Sequence, residues 1–565
     1  MIIPRRRIII GLSALALVSP LFTASGCKPK AQSTPTPFTA QLTELEGVQA
    51  VFTLRHPKQT LGDLDKLMTE VPETSLLRMF MGSLSPYGYP EFSELDAGSN
   101  IGIALLEAPL ADWEAGKLTV VGFAQLKEGG KIWTALTQKG LVLQQRGSWT
   151  WIAKDAASFD LVKAPAALTD FIARPQSEEL RTWARLSPTM LKPLHDKLFP
   201  LIAEKLTARP ADEQKALLAY AEIAWGYFAQ LHSGSSALDV NEHGIALKGT
   251  YQFLPETALG TLLRYPSAPV APITQALSAD GLVRMVVRSN PHAQSVFING
   301  VLDGLIAVDY PPFAESLKQT KASYNIFAQH SDGSAAMDMD MAMPMGNQPP
   351  VIKMVGLASG NFTAEQASAY YRGNMAGTEK LTNAIFATAK TFAPAMPLPE
   401  MRSELKENVL TIDGTRFSSI VTKTSTAGAE QTTTVLYGVV DGTIVYAMDE
   451  TSLRAKLPAL RAGKPVPSAT PLIPQGDEQA LMTVQGERVV QLVADAAQID
   501  AADADIAAQL TTLKSGYTAA GPVRIVLSAS QAQCTMTLTI PYKFIAQSVK
   551  LGQFAQANAK KPAKK

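Results

Sequence analysis

The chain repeats itself, and this limits what it can fold into more than any other feature. An apolar strand, a polar break and an amphipathic helix recur three times. The strands are VQAVFTLR (48–55), GLVRMVVR (281–288) and QALMTVQ (479–485), before helices near 60–70, 292–305 and 487–497. A second pattern places a turn with Ser and Gly before two strands and a helix. LHSGSSALDV (231–240) leads to IALKGTYQF (245–253) and a helix from Pro255. QHSDGSAAMDM (329–339) leads to VIKMVGLAS (351–359) and a helix from Ala364. LKSG (513–516) leads to strands 522–529 and 533–541 and a helix near 544–554. A third pattern occurs twice. KLTVVGFA (117–124) leads, past a helix at 130–138, to WTWIAKD (149–155) and a helix at 156–163. TTVLYGVV (433–440) leads to TIVYAMD (443–449) and a helix at 451–461. Both copies end a strand on Asp, a good helix N-cap.

Alternation at period two marks these strands as half-buried, as in antiparallel sheets flanked by helices. The fold class expected is therefore α+β in repeated units. Long helices at 177–207 and 211–231 form a helical insertion in the first half. The units expected are 42–265, 279–465 and a partial third at 476–556, followed by a basic tail at 557–565. Pro-rich joints lie at 266–272 and 465–474.

The first residues read as a targeting segment rather than a fold element. Arg5, Arg6 and Arg7 form a basic start, an apolar run extends from Ile8 to Phe22, and Ala24-Ser25-Gly26 precede Cys27. Ala24-Ser25-Gly26-Cys27 resembles the lipobox of bacterial lipoproteins. The resemblance implies a signal peptide at 1–26, cleavage before Cys27 and acyl chains on its thiol; two such chains hold a protein at a membrane. Ala24 departs from the leucine that the family prefers. Lys28, where an inner-membrane retention signal would place Asp, favours the outer membrane facing the periplasm. Residues 28–41, rich in Pro, Thr, Ser and Lys, make a flexible tether. The body resembles large repeated α+β envelope proteins of unknown function, a likeness that carries no catalytic residues.

Lys and Arg total 51 against 50 Asp and Glu, so there is no general drive toward nucleic acid. Cys27 and Cys534 are the only cysteines. With Cys27 lipidated, an internal disulfide is excluded, and Cys534 is expected as a small buried group in a strand.

Met337, Met339, Met341 and Met343 are candidate soft-metal ligands, since thioethers suit Cu(I) and alternation places them on one strand face. The repeat favours a plainer reading, an apolar strand face. Ser403-Glu404-Leu405-Lys406 with Lys514-Ser515-Gly516 imitates a penicillin-binding constellation, but the middle element is missing. The six histidines form no close ligand pair. Trp133, Trp149 and Trp151 suit a carbohydrate or apolar-ligand site, though core packing is the reading favoured. No catalytic residue and no cofactor are expected. The leading expectation is a non-enzymatic envelope protein, tethered through Cys27 and presenting a binding or scaffolding surface. The first alternative is a carrier of an apolar ligand or lipid, and the second a hydrolase without a recognisable motif.

Overall fold

The computed structural model describes residues 45–54, 100–115, 117–173, 180–185, 188–241, 244–269, 273, 281–342, 351–392, 399–426, 429–462, 472–497, 499 and 503–558. The described residues begin with β1 (Val48–Leu54), β2 (Ile101–Leu106), α1 (Leu110–Glu114), β3 (Val120–Ala124) and α2 (Lys131–Gln138). Next come β4 (Val142–Arg146), β5 (Trp149–Ala153), α3 (Ala157–Asp160) and α4 (Pro165–Ala173). They are followed by β6 (Leu180–Arg185), α5 (Pro188–Leu206), α6 (Ala211–Phe228), the hairpin β7 (Leu231–Asn241) and β8 (Gly244–Phe253), and α7 (Ala258–Leu262).

The second half begins with β9 (Val283–Arg288), α8 (Pro291–Ala307), α9 (Pro311–His330), β10 (Ser331–Ala342), β11 (Val351–Gly360) and α10 (Ala364–Phe392). A meander follows: β12 (Glu400–Ile412), β13 (Thr415–Thr426), β14 (Ala429–Val440) and β15 (Thr443–Ala447), closed by α11 (Glu450–Ala462). The last elements are β16 (Glu478–Val484), α12 (Gly486–Ala496), α13 (Ala504–Ala520), β17 (Val523–Ser530), β18 (Gln533–Pro541) and α14 (Tyr542–Asn558).

Following the hydrogen-bond registers from edge to edge gives one antiparallel sheet. Its order is β4-β5-β3-β2-β1-β6-β7-β8-β18-β17-β16-β9-β10-β11-β15-β14-β13-β12. The protein is thus an α+β fold of repeated units. The run β5-β3-β2-β1-β6-β7-β8 recurs as β15-β11-β10-β9-β16-β17-β18, and the two runs meet where β8 pairs with β18. Equivalent strands face each other across that seam, as in an isologous interface. Leu247 opposes Leu538 and Gly249 opposes Met536.

The helical pair expected in the first half is α5–α6. The same place in the second half is taken by α12–α13, and α8–α9 link β9 to β10 in the same way. Three local expectations need correction. Residues 177–207 are not one helix, because Leu180–Arg185 forms β6 between β1 and β7. There Trp183 is buried beside Phe171, with ring centroids 6.1 Å apart, so tertiary pairing overrides helical propensity. Lys514-Ser515-Gly516 is not a turn but part of α13. A Cβ on Gly516 would lie 2.6 Å from Gln547 Cδ, so the glycine permits close approach of α14. In the other two copies the Ser/Gly segment is already strand, and Gly333 (φ 91°) marks an irregularity at the start of β10. In sheet order, moreover, β3 corresponds to β11 rather than to β14.

The Asp caps are present in both halves. Asp155 Oδ1 accepts from Ser158 N (2.9 Å) and Ser158 Oγ (2.8 Å). Asp449 accepts from Ser452 N (2.7 Å) and Ser452 Oγ (2.6 Å). Each directs a helix onto what is called here the back face of the sheet. Phe159, Leu168, Phe171 and Ile172 cover Val51, Ala104, Phe123 and Trp151. Leu453 and Leu457 cover Val286, Ala336, Val355 and Val445. Asp338, also on the back face, pairs with Lys456 of α11 at 2.8 Å. The front face of the second half is packed by α9 and α10: Phe327, Phe362 and Tyr370 cluster with Met285, Met337, Met354 and Tyr446.

Two hairpins turn on Asp413-Gly414 and Asp441-Gly442, all at positive φ, the signature of tight two-residue turns. The β17–β18 turn instead uses Gln531 (φ 49°) and Ala532 (φ 61°), where a Cβ is disfavoured. Gln531→Gly, at the partly exposed one of the two positions, is expected to raise unfolding stability by about 0.5–1 kcal/mol, net of glycine's unfolded-state entropy. Chemical denaturation checks this; an unchanged midpoint would show that the turn carries no strain.

Candidate functional site

Residues paired across neighbouring strands project from the same face of a sheet. One such row crosses most of this sheet: Leu54, Leu180, Leu238, Leu247, Leu538, Ile525, Met482, Met285, Met337, Gly356, Tyr446. In the second half it disappears under the helices, with Met285 and Met337 each 5% exposed. Across the seam it does not. Leu247 is 46% exposed and Met536, two residues along β18 from Leu538, is 48% exposed. Leu180, Tyr251, Phe52 and Ile103 share this front face and are exposed as well.

The back face over the same strands is polar. It carries Lys248, Thr250, Thr535, Thr537 and Thr539, and the Thr250 and Thr535 hydroxyls meet at 3.1 Å. The central strands are therefore amphipathic, with the apolar side incompletely covered. Between the leucines the floor is shallow, made by Gly249, Ser236 and Gly234. The Tyr251 ring overhangs it, within 3.6 Å of a Cβ built on Gly234 and 3.8 Å of one on Gly249. Cys534 lies on the same face opposite Tyr251, and burial pushes its thiol pKa up. The result is an apolar trough across the seam, to which both halves contribute.

Cys27 and Met343 lie outside the described residues, as do His56 and His243. Met337, Met339 and Met341 do share the front face of β10. They oppose Gly356, Met354 and Ile352. Met337 is packed beside Phe327 and Tyr446. Among the described residues no group of three or more His, Cys, Asp or Glu could hold a metal ion. Ser403 and Lys406 sit on edge strand β12, Ser403 Oγ 3.2 Å from Thr422 Oγ1 and Lys406 paired with Glu404. Lys514 is on α13 and donates to Gln491 Oε1 at 2.8 Å. Trp149 and Trp151 are buried on the back face, whereas Trp133 packs against the front face from α2.

His195 on α5 lies 3.1 Å from Glu222 on α6 and stacks on Phe199 at 4.1 Å between ring centroids. The hydrogen bond to Glu222 raises its pKa above the usual imidazole value. A raised folded-state pKa means that this tie stabilises below the unfolded value of about 6.5 and is lost as pH rises through the folded one. Titration by NMR is expected to place His195 above about 6.5; Glu222→Gln should lower it. A packing role for Met337 predicts that Met337→Leu costs under about 1.5 kcal/mol and Met337→Ala about 2–5 kcal/mol. Equal losses in both variants, removed by chelators, would instead indicate thioether ligation. No protein-family model matches the chain, nor does any curated protein or solved structure.

Proposed function

We propose that this is a lipid-anchored protein of the bacterial cell envelope whose body binds the acyl chain of an amphiphile in the front-face trough. The supporting observation is the uncovered apolar row at the seam, with a polar face directly behind it. Contiguous exposed apolar surface with a polar surround is the ordinary mark of a binding groove. From β6 to β17 the row spans four strand spacings, about 19 Å. One leaflet of a bilayer's hydrocarbon core is about 15 Å thick, so a single acyl chain fits along it. The lipobox-like Ala24-Ser25-Gly26-Cys27 supports anchoring, and residues 28–41 serve as the leash. No helix among the described residues is long and apolar enough to cross a membrane. In this reading Cys27 holds the protein at the outer membrane facing the periplasm, and no cofactor takes part.

Native mass spectrometry of the full-length protein from its membranes tests the trough. It should carry single-chain or two-chain lipid adducts, and a fluorescent fatty-acid probe should bind saturably. Gly249→Leu, which fills the floor where a Cβ meets only the Tyr251 ring, should weaken the probe by about tenfold. That is the loss of roughly two methylene contacts. No adducts and no probe binding would remove the carrier reading and leave a scaffolding surface. The anchor is tested separately: labelled palmitate should enter the protein and be absent from Cys27→Ser.

A further inference from the structure

On the back face at the far edge of the first half, the β4–β5 hairpin and α4 enclose an open cleft of about 430 Å³. This is within the usual range for small-molecule sites, and it lies on the opposite side of the sheet from the apolar trough. Its walls include Arg146, Trp149, Trp151, Thr169 and Asp170. Arg146 Cζ stands 4.1 Å from the Trp151 ring centroid, and its Nε donates to Gln144 Oε1 at 2.9 Å. The stacked guanidinium covers that indole ring, so the ring is not available as a sugar platform.

Charge placement narrows the occupant. Among the described residues neither Arg146, which stacks on Trp151 and Phe159, nor the exposed Asp170 is in an ion pair, although both border the same cleft. They do not pair with each other. Trp151 also borders the cleft but is 1% exposed, with its ring under the Arg146 guanidinium. A cation and an anion on the walls of one cleft complement a ligand bearing both charges. A purely anionic ligand would meet Asp170, and a purely cationic one Arg146.

We propose that this cleft binds a zwitterion with an ammonium and a carboxylate: a free α-amino acid, or a short peptide through its two termini. The carboxylate lies against Arg146 and the ammonium against Asp170. Trp149 and Pro165 offer apolar contact to a side chain. Nothing in this assignment depends on the trough or on the lipid anchor.

Isothermal titration of the purified protein with L-leucine, L-phenylalanine and their dipeptides tests it, with tryptophan fluorescence as a second readout. Saturable binding is expected for one of the two series, and the series that binds separates amino acid from peptide. N-acetylation or amidation of the bound probe should weaken it at least about tenfold, the usual loss for a charge-assisted contact. Asp170→Asn, at an exposed helix position, should do the same without shifting the melting temperature. Arg146→Gln removes the charge that faces the carboxylate, so it should weaken the carboxylate end alone, with the melting temperature measured beside it because the guanidinium stacks on Trp151. No saturable binding by either series, or equal binding by blocked probes and by Asp170→Asn, would overturn the proposal.

Discussion

The hydrogen-bond ladder between β8 and β18 is the connection on which the sheet depends. Among the described strands, every other pairing lies within one half of the chain; this one joins the two. Its register sets Gly249 against Met536 and Leu247 against Leu538, so the two halves present the same side of the sheet. A slip of one residue would turn the apolar row of one half onto the polar face of the other. The α6–α8 contacts, such as Tyr227 with Phe297 at 5.7 Å, reinforce the join from the helix layer.

The two faces are stabilised by different means. The back face is covered by short helices whose direction is set by Asp155 and Asp449, and in the second half an ion pair locks the cover in place. Asp338 and Lys456 are about nine-tenths buried, so either left alone would be costly. The front face of the second half relies on Met and Tyr. Gly356 is there because the Tyr446 ring lies over it: a Cβ would come within 1.9 Å of Tyr446 Cζ. Met337 and Met354 fill part of the remaining irregular space.

Much of the fold was legible in the sequence because period-two alternation and Asp caps are local. The hairpins β7–β8, β10–β11 and β17–β18 and the helices after Asp155 and Asp449 fall where the patterns place them. β6 was not legible, because LRTWAR becomes a strand only through pairing with β1 and β7. Lys514-Ser515-Gly516 misled for a related reason: glycine serves a turn or a close helix contact, and composition alone does not separate them. The trough was half legible. IALKGTYQF shows its apolar side, but whether helices cover that side is decided by their packing elsewhere. The cleft at Arg146 depends on α4 meeting the β4–β5 hairpin, which no local motif records.

The seam also has a consequence for how the two halves could tolerate change. A half-length chain would leave β8 as an open edge, and two copies would pair through it about a true rotational axis. Covalent linkage makes that step an intramolecular closure at high effective concentration. Within one chain the two sides of the seam need not be identical in sequence. The halves differ at their outer edges: one carries the Arg146 cleft, the other the long β12–β13 extension, while the strands at the join keep their correspondence.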